Sequence, residues 1–403
     1  MLNKLSIVHL CVTDEGGAGL CCRRIHQTMK DMGMNSHVLT MLKFSDDPDV
    51  ERIHWGVKWF LYRALNKVLL YLRLPITDRV KIRMMEKKVG EPISMPTSVF
   101  KDLHKHPLIQ QADIIHLHSV TGFIDYPSFF QKVNKPIVWT LHDENLFNGL
   151  AHFSRTAVPN KKIDKKYYNL KLSALRTAKN LGIVFLSEMM YEKYHNHDMI
   201  KNNLSTIINN PINTNIFKPK DKSIARKAFN IADDSLVFIF VAASISDPWK
   251  GLTTLSKVFE TMDIHNAMIL AVGKKNDKYK YPPYIKAIGP IYDTEKLSMA
   301  YSAADFFISS STQEAFAQTP IEAMACGTPA ILTPVSGTSE LINEQNGVKC
   351  EGFSPEKIKK GIIKALSHKY DSDIIRKDII DRFSTLRIAE KYLTFYKAMI
   401  NSK

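Results

Sequence analysis

The sequence is short of the features that would place it among disulfide-built, membrane-spanning or repetitive proteins. It has five cysteines in 403 residues, Cys11, Cys21, Cys22, Cys326 and Cys350. None forms a Cys-x-x-Cys pair or the spacing of a zinc site, and the odd number argues against a disulfide framework. A reducing cytoplasm fits them best. No run of ~20 uninterrupted apolar residues occurs, so no segment is expected to span a bilayer and any membrane association is expected to be peripheral. The first apolar run, 5–12, has only Lys4 before it and leads straight to Gly16 and Gly17, which reads as a first strand and not as a secretion signal. Internal repeats and low-complexity tracts are absent. Acidic residues are also short, 40 Asp and Glu against 55 Lys and Arg, for a formal charge of +15. That excess favours a polyanionic partner, whether nucleic acid, an anionic membrane surface or a phosphorylated ligand.

What is present is an ordinary globular composition, 45% hydrophobic, in a chain too long for one hydrophobic core. Apolar runs of strand length alternate with helical patterns: strands at 5–12, 36–41, 114–117, 137–141 and 181–186, with a helix at about 18–32. A second series follows after 215, with strands at 236–243, 267–272, 284–288, 305–309 and 329–332. Alternation of this kind predicts α/β architecture, with parallel sheets covered by helices on both faces, in two doubly wound domains. The turn-rich stretch 207–219, with Pro211 and Pro219, is the candidate linker.

The segment 309–334 carries the strongest motif. Glu314 lies on a loop after the strand at 305–309, and Glu322 lies eight residues on, inside a helix that starts at Pro320 and ends at Gly327. Backbone N–H groups where such a loop enters a helix suit a phosphate or diphosphate, and sugar hydroxyls are natural partners for the carboxylates. The run EAFAQTPIEAMACGTPAI resembles the glutamate-x7-glutamate signature of family four, the retaining glycosyltransferases with the GT-B fold, and the resemblance extends over nearly the whole chain. It is nearest to members that build capsule and exopolysaccharide.

The resemblance implies two facing Rossmann-like domains with a cleft between them. The expected bounds are an acceptor-side domain at 1–208, a nucleotide-sugar domain at 209–382, and a terminal helix, 383–403, crossing back to the first. It implies that Glu314 binds hydroxyls of the donor sugar, that Glu322 binds the ribose, and that backbone groups at Phe316, Ala317, Gln318 and Thr319 hold the diphosphate. Glycoside hydrolysis also uses two carboxylates, but it needs them flanking one bond, and a loop glutamate with a helix glutamate favours transfer.

Three further stretches end strands. The turn Asp14-Glu15-Gly16-Gly17-Ala18-Gly19 either admits a phosphate to a helix start or is simply a tight strand-to-helix turn. It does not match G-x-G-x-x-G. By resemblance Gly16 and Gly17 face the donor diphosphate or the incoming acceptor. The strand at 137–141 ends in His142-Asp143, at the edge where open α/β sheets bind ligands. The resemblance puts His142 beside the transferred sugar and leaves Asp143 and His118 as acceptor-side candidates. The third stretch, 242–252, brings Ser244 and Lys250, the latter a compact charge suited to a leaving diphosphate. Family members usually carry an arginine about five residues before this lysine. Ile245 stands there instead, and Lys274 or Lys275 is the candidate replacement cation. A related branch of capsule and colanic-acid transferases has a similar aspartate-proline-x-lysine-glycine loop.

Asp47-Pro-Asp49 and Asp371-Ser-Asp373 match a bare D-x-D pattern but do not follow strands where metal-dependent transferases place it, so no essential metal and no cofactor are expected. Finally, 55–88 holds nine Lys or Arg against only Asp78 and Glu86. Its interleaved aromatics and leucines suit an anionic membrane interface, or a helical pair packed on the first domain. No nucleic-acid motif accompanies it. The expected activity is therefore a metal-independent hexosyl transfer from a UDP- or GDP-linked sugar to a lipid-linked saccharide, on the inner face of the cytoplasmic membrane. An epimerase on the same fold and a catalytically weak membrane-bound scaffold are the alternatives.

Overall fold

The computed structural model describes residues 4–402 except 263, 336, 338 and 339, and the side chain of Lys58. The chain divides into two compact units, one made of Met1–Leu186, Met190–Ile208 and Ala389–Lys403, the other of Ser187–Met189 and Asn209–Ile388. Up to residue 208 the elements are β1 (Ser6–Thr13), α1 (Gly16–Asp31), β2 (Asn35–Leu42), β3 (Val50–Arg52), α2 (Val57–Tyr71), α3 (Asp78–Val89), α4 (Pro107–Gln111), β4 (Ile114–Leu117), α5 (Tyr126–Lys132), β5 (Ile137–Leu141), α6 (Lys161–Leu175), β6 (Leu181–Phe185), α7 (Glu188–Tyr194) and β7 (Leu204–Ile207). Then come α8 (Lys222–Ala228), β8 (Leu236–Ser244), α9 (Leu252–Glu260), β9 (Ala267–Lys274), β10 (Ile285–Gly289), α10 (Thr294–Ala303), β11 (Phe306–Ser309), α11 (Thr319–Ala325), β12 (Ala330–Leu332), β13 (Gly347–Lys349), α12 (Pro355–Leu366), α13 (Ser372–Phe383) and α14 (Thr385–Asn401).

Each unit has a parallel sheet. The first runs β3-β2-β1-β4-β5-β6-β7 and the second β10-β9-β8-β11-β12-β13. In both, the winding direction reverses once, between β1 and β4 in the first and between β8 and β11 in the second. A doubly wound sheet opens a crevice at the carboxyl ends of the strands flanking such a reversal, because the two connecting helices leave to opposite faces. The expected site residues end or follow these strands, except His142 and Asp143, which follow the neighbouring β5.

Three strands went unanticipated: β3, β7 and β13 have only three or four residues and too few periods to stand out. The terminal helix expected at 383–403 begins at Thr385, because Ser384 is extended (ψ 149°) and bridges to Ile212. The basic insert is a pair of helices, α2 and α3. Thr77 caps α3 by accepting from Val80 N at 3.3 Å, and left-handed Gly90 ends it. Among the described residues no helix is long and apolar enough to cross a membrane.

Period-two alternation divides the first sheet into unlike faces. Val8, Leu10, Ile115, Leu117 and Trp139 join the apolar core on one side. The other side presents His9, His116, His118 and Thr140, all buried. Those polar groups are covered by α1, through His26, and by α14, through Tyr392 and Tyr396. The second unit's main core is aliphatic and aromatic, with Phe238, Phe240, Phe306 and Ile308 at its centre.

Candidate active site

In the second unit the chain leaves β8 into a single 3-10 turn, Pro248–Lys250, ended by Gly251 at φ +82°. A Cβ on Gly251 would lie 2.5 Å from the carbonyl oxygen of Ser310. Glycine therefore lets this turn rest directly on the loop after β11. Ser310 Oγ donates to the Gly251 carbonyl at 2.8 Å, and Thr312 N donates to the Trp249 carbonyl at 2.8 Å. This stitching brings Lys250 Nζ to Glu314 Oε1, an oxygen that also accepts from Ser311 Oγ at 2.9 Å. The two charged side chains remain 24% and 16% exposed, so the pair is open to solvent.

Beyond Glu314 the chain turns into α11. Phe316 is buried with its ring 6.0 Å from that of Phe383. Gly337, at φ +72°, backs the same turn so closely that a Cβ would lie 2.0 Å from the Ala315 carbonyl oxygen. Ala317, Gln318 and Thr319 follow, partly exposed at the helix entry. Glu322 sits in the first turn of α11, 6% exposed, and accepts from Tyr301 OH at 3.0 Å. Ile245, in the place of the usual arginine, is 2% exposed and belongs to the hydrophobic core. Beside it, Ser244 pairs in register with Lys274 of β9, and Ile245 N donates to the Lys274 carbonyl at 3.1 Å. Lys274 is exposed, and Lys275 lies 3.8 Å from Asp277.

In the first unit, Gly16 and Gly17 are the exposed first residues of α1. The close approach in this turn is at Gly19, where a Cβ would meet the Thr13 carbonyl oxygen at 2.5 Å. Asp14 is buried and accepts from Phe44 N at 2.8 Å and Ser45 N at 2.9 Å. Burial pushes its carboxyl up, but the hydrogen bonds from Ser45 and Phe44 hold it below the ordinary value.

His142 follows β5, partly exposed, and heads a row of imidazoles. Its Nε2 is 3.2 Å from His118 Nδ1, and His118 Nε2 is 3.1 Å from His9 Nδ1. His116, in register with His9, is held by Thr140 Oγ1 at 2.8 Å and Tyr396 OH at 2.7 Å. Burial drives His9, His116 and His118 well below the ordinary histidine value, and takes His26 and His142 down to about 4. The row is therefore neutral at physiological pH. His118, expected on the acceptor side, is 1% exposed. It stands behind His142, with its Nδ1 facing that imidazole.

Asp143 does reach the surface of the loop. Its Oδ2 is 2.5 Å from His152 Nδ1, and His152 Nε2 is 3.0 Å from Ser94 Oγ. Burial raises the Asp143 carboxyl, but His152 and the Asn145 amide hold it below the ordinary value. Behind this loop the fully buried Lys171 donates to Asn145 O at 2.5 Å, Asn145 Oδ1 at 2.8 Å and Asn148 O at 3.0 Å. Desolvation lowers its amine to about 7. Ser94, His152 and Lys171 were not among the expected residues. They lie in no motif, and only the distant strands and loops bring them to Asp143.

Clusters of possible metal ligands occur in the first unit, where His9, His116 and His118, then Cys21, His118 and His142, and then His26, Asp47 and Asp49 each bring ligand atoms within 4.8 Å of one another. In the last, Asp49 is already paired with Lys30 and His26 Nδ1 with Ser36.

The profile described as Glycosyltransferase Family 4 matches residues 15–216, and the one described as Glycosyl transferases group 1 matches 221–382. An uncharacterized glycosyltransferase of Methanocaldococcus jannaschii is 25% identical over 192 residues, 44% of this chain and 49% of its own length. A D-inositol 3-phosphate glycosyltransferase of Streptosporangium roseum is 25% identical over 170 residues, 37% of this chain and 39% of its own. The chain thus spans about half the length, or less, of these curated relatives. Among solved structures, sucrose-phosphate synthase of Thermosynechococcus elongatus has a TM-score of 0.68 at 19% identity, covering 99% of this chain and 100% of that one. Anabaena HepE, in complex with UDP and glucose, has a TM-score of 0.67 at 17% identity, covering 98% and 100%. At such identities the likeness is one of fold. With one profile matching half of the chain and a second matching most of the rest, the protein belongs to glycosyltransferase family 4 and carries two Rossmann-like α/β units of the GT-B type.

Proposed function

We propose that the protein transfers a sugar from a UDP- or GDP-linked donor to a hydroxyl of a lipid-linked saccharide in the building of a surface polysaccharide. The reading takes the transfer as retaining, free of an essential metal, and carried out at the cytoplasmic face of the membrane. The observation that carries it is the contact between Lys250 and Glu314 at the switch-point strand ends of the second sheet. With donor bound, Lys250 leaves the carboxylate for the diphosphate and Glu314 turns to the sugar hydroxyls, so each charge exchanges one polar partner for another. Ser244 and the backbone of Phe316, Ala317, Gln318 and Thr319 complete the diphosphate's surroundings, and Glu322 takes the ribose.

The chemistry requires no side-chain nucleophile. The acceptor oxygen attacks the anomeric carbon on the face from which the diphosphate departs, and the bond from that carbon to the diphosphate oxygen breaks. The acceptor's proton passes to the departing diphosphate. Lys250 stabilises the charge that develops on the leaving group. A neutral His142 serves as a hydrogen-bond partner for the sugar and not as an acid. Gly16 and Gly17 offer backbone at the start of α1, and Asp143 lies on the acceptor side. The complex of HepE with UDP and glucose supports a nucleotide-sugar donor.

The test is nucleotide release from a panel of UDP- and GDP-sugars, with and without membrane lipid extract, beside Glu314→Ala. Release from one donor that depends on Glu314 and rises with lipid is expected. Conversion of donor without acceptor would identify an epimerase, and saturable binding without turnover a scaffold.

A further inference from the structure

A cavity of about 610 Å³ opens in the first unit between α2, α3, the end of β2 and the stretch 93–100. Its volume falls within the roughly 300–1,000 Å³ of small-molecule sites. The walls are mainly apolar, with Leu70, Met95 and Phe100 among them, while Arg63, Lys67 and Arg79 line it as exposed cations. Arg83, also on the wall, is paired with Glu86. Arg63 and Arg79 instead lie over the rings of Trp59 and Tyr62, at 5.0 and 5.7 Å. Among the described residues, Arg63, Lys67 and Arg79 have no carboxylate partner. Three cations without a carboxylate partner around an apolar hollow give it a local positive potential that attracts an anion.

The outer face of α2 narrows the choice of ligand. Leu61, Leu65, Val68 and Leu72 follow helical spacing and are 65%, 53%, 54% and 54% exposed. A stripe of that size beside cations fits an anionic lipid interface, whereas a water-soluble sugar phosphate would leave it uncovered. The cavity also connects with the acceptor-side loop, since Ser94 lines it and is hydrogen-bonded to His152, which Asp143 holds.

Resting on the reading of a lipid-linked acceptor, we infer that this cavity receives the phosphorylated end of a single-chain lipid, an isoprenoid or alkyl diphosphate. The chain lies against Leu70, Met95 and Phe100, and the diphosphate sits among Arg63, Lys67 and Arg79. The apolar stripe of α2 rests on the surface from which the lipid comes.

The experiment is titration of the full chain with farnesyl diphosphate, with farnesol and inorganic pyrophosphate as the two halves, read by calorimetry and by the fluorescence of Trp59 on the cavity wall. Farnesyl diphosphate is expected to bind at least about tenfold more tightly than either half, because charge and apolar burial act together. The triple variant Arg63→Glu, Lys67→Glu, Arg79→Glu should lose about tenfold or more of that affinity, with its melting temperature and UDP-sugar binding retained, since all three side chains are exposed. A second variant, Met95→Trp, should weaken binding by filling the hollow. Equal binding of pyrophosphate, equal binding of farnesol, no response to charge reversal, or attachment to phosphatidylglycerol vesicles with no preference for the diphosphate would each overturn the assignment. If farnesyl diphosphate binds through these cations but no donor releases nucleotide, the transferase reading fails and the cavity assignment stands. Nucleotide release without farnesyl diphosphate binding does the reverse.

Discussion

Behind the winding reversal of the first sheet lie His9, His116, His118 and Thr140, and behind that of the second lie Phe238, Phe240, Phe306 and Ile308. The strand order around both reversals is the same, yet the first sheet sets a polar, desolvated face opposite its apolar one, while the second unit's main core is aliphatic and aromatic. The charged chemistry of the second unit, Lys250 with Glu314, sits instead at the strand ends, partly in solvent. Parallel topology therefore settles where the loops converge, whatever fills the core beneath them. What the core does decide is how each unit answers to pH: imidazoles whose desolvation outweighs the nearby carboxylates favour acid sensitivity in the first unit, and a hydrocarbon interior does not.

The largest effect should come at the second unit's strand ends. Lys250→Ala should lower turnover by about 10²–10³-fold, the usual loss for a group that stabilises leaving-group charge, and Glu314→Ala by about 10²-fold through lost positioning of the sugar. Thermal unfolding should barely move, because a partly exposed pair contributes little to stability. Full turnover in either variant in a nucleotide-release assay would remove this site from the mechanism.

Next is the acid response of the first unit. His9, His26, His116, His118 and His142 have folded-state values below the ordinary 6.5, so between pH 6.5 and their folded values the unfolded chain binds more protons. Stability is full above pH 6.5 and falls as pH drops towards about 4, the value of His26 and His142. For His26 alone the loss at pH 5 is about 2 kcal/mol. Amide exchange, corrected for intrinsic rates, should lose protection in β1 and β4 at pH 5 while β8 and β11 keep theirs. Equal loss in both sheets would erase the contrast.

Gly251→Ala probes whether the second unit's pair depends on its backbone seat. Left-handed geometry and the 2.5 Å approach to Ser310 should lower stability by about 1–3 kcal/mol and loosen Lys250 from Glu314. Urea unfolding and donor affinity would read the two consequences. The smallest effect is expected of Lys274→Ala. If Lys274 stands in for the arginine that Ile245 displaces, donor KM should rise about two- to fivefold, the worth of one exposed cation near a phosphate. An unchanged KM would leave Lys250 as the cation assigned to the diphosphate.

Much of this was legible beforehand. The strands at 114–117 and 137–141 coincide with β4 and β5, because a continuous apolar run between turn signals has few alternatives. The loops after β8 and β11 were identifiable from glycine, proline and paired charges. Their direct contact was not, since 64 residues separate Lys250 from Glu314. His116 and His118 share a strand face by spacing alone. That His9 lies beside them depends on the register of β1 with β4, and that His116 is enclosed depends on Tyr396 of α14.

Local periodicity and turn chemistry thus settled the α/β class, the strand ends that bear the candidate site residues, and the basic, apolar insert at 55–88, since each is a property of neighbouring residues. Tertiary structure alone decided that Ile245 is core, that His152 ties Asp143 to Ser94, that burial holds the five imidazoles below the ordinary histidine value, and that the insert lines a cavity. Charge state and enclosure depend on desolvation and on partners from distant segments, which form only when those segments pack.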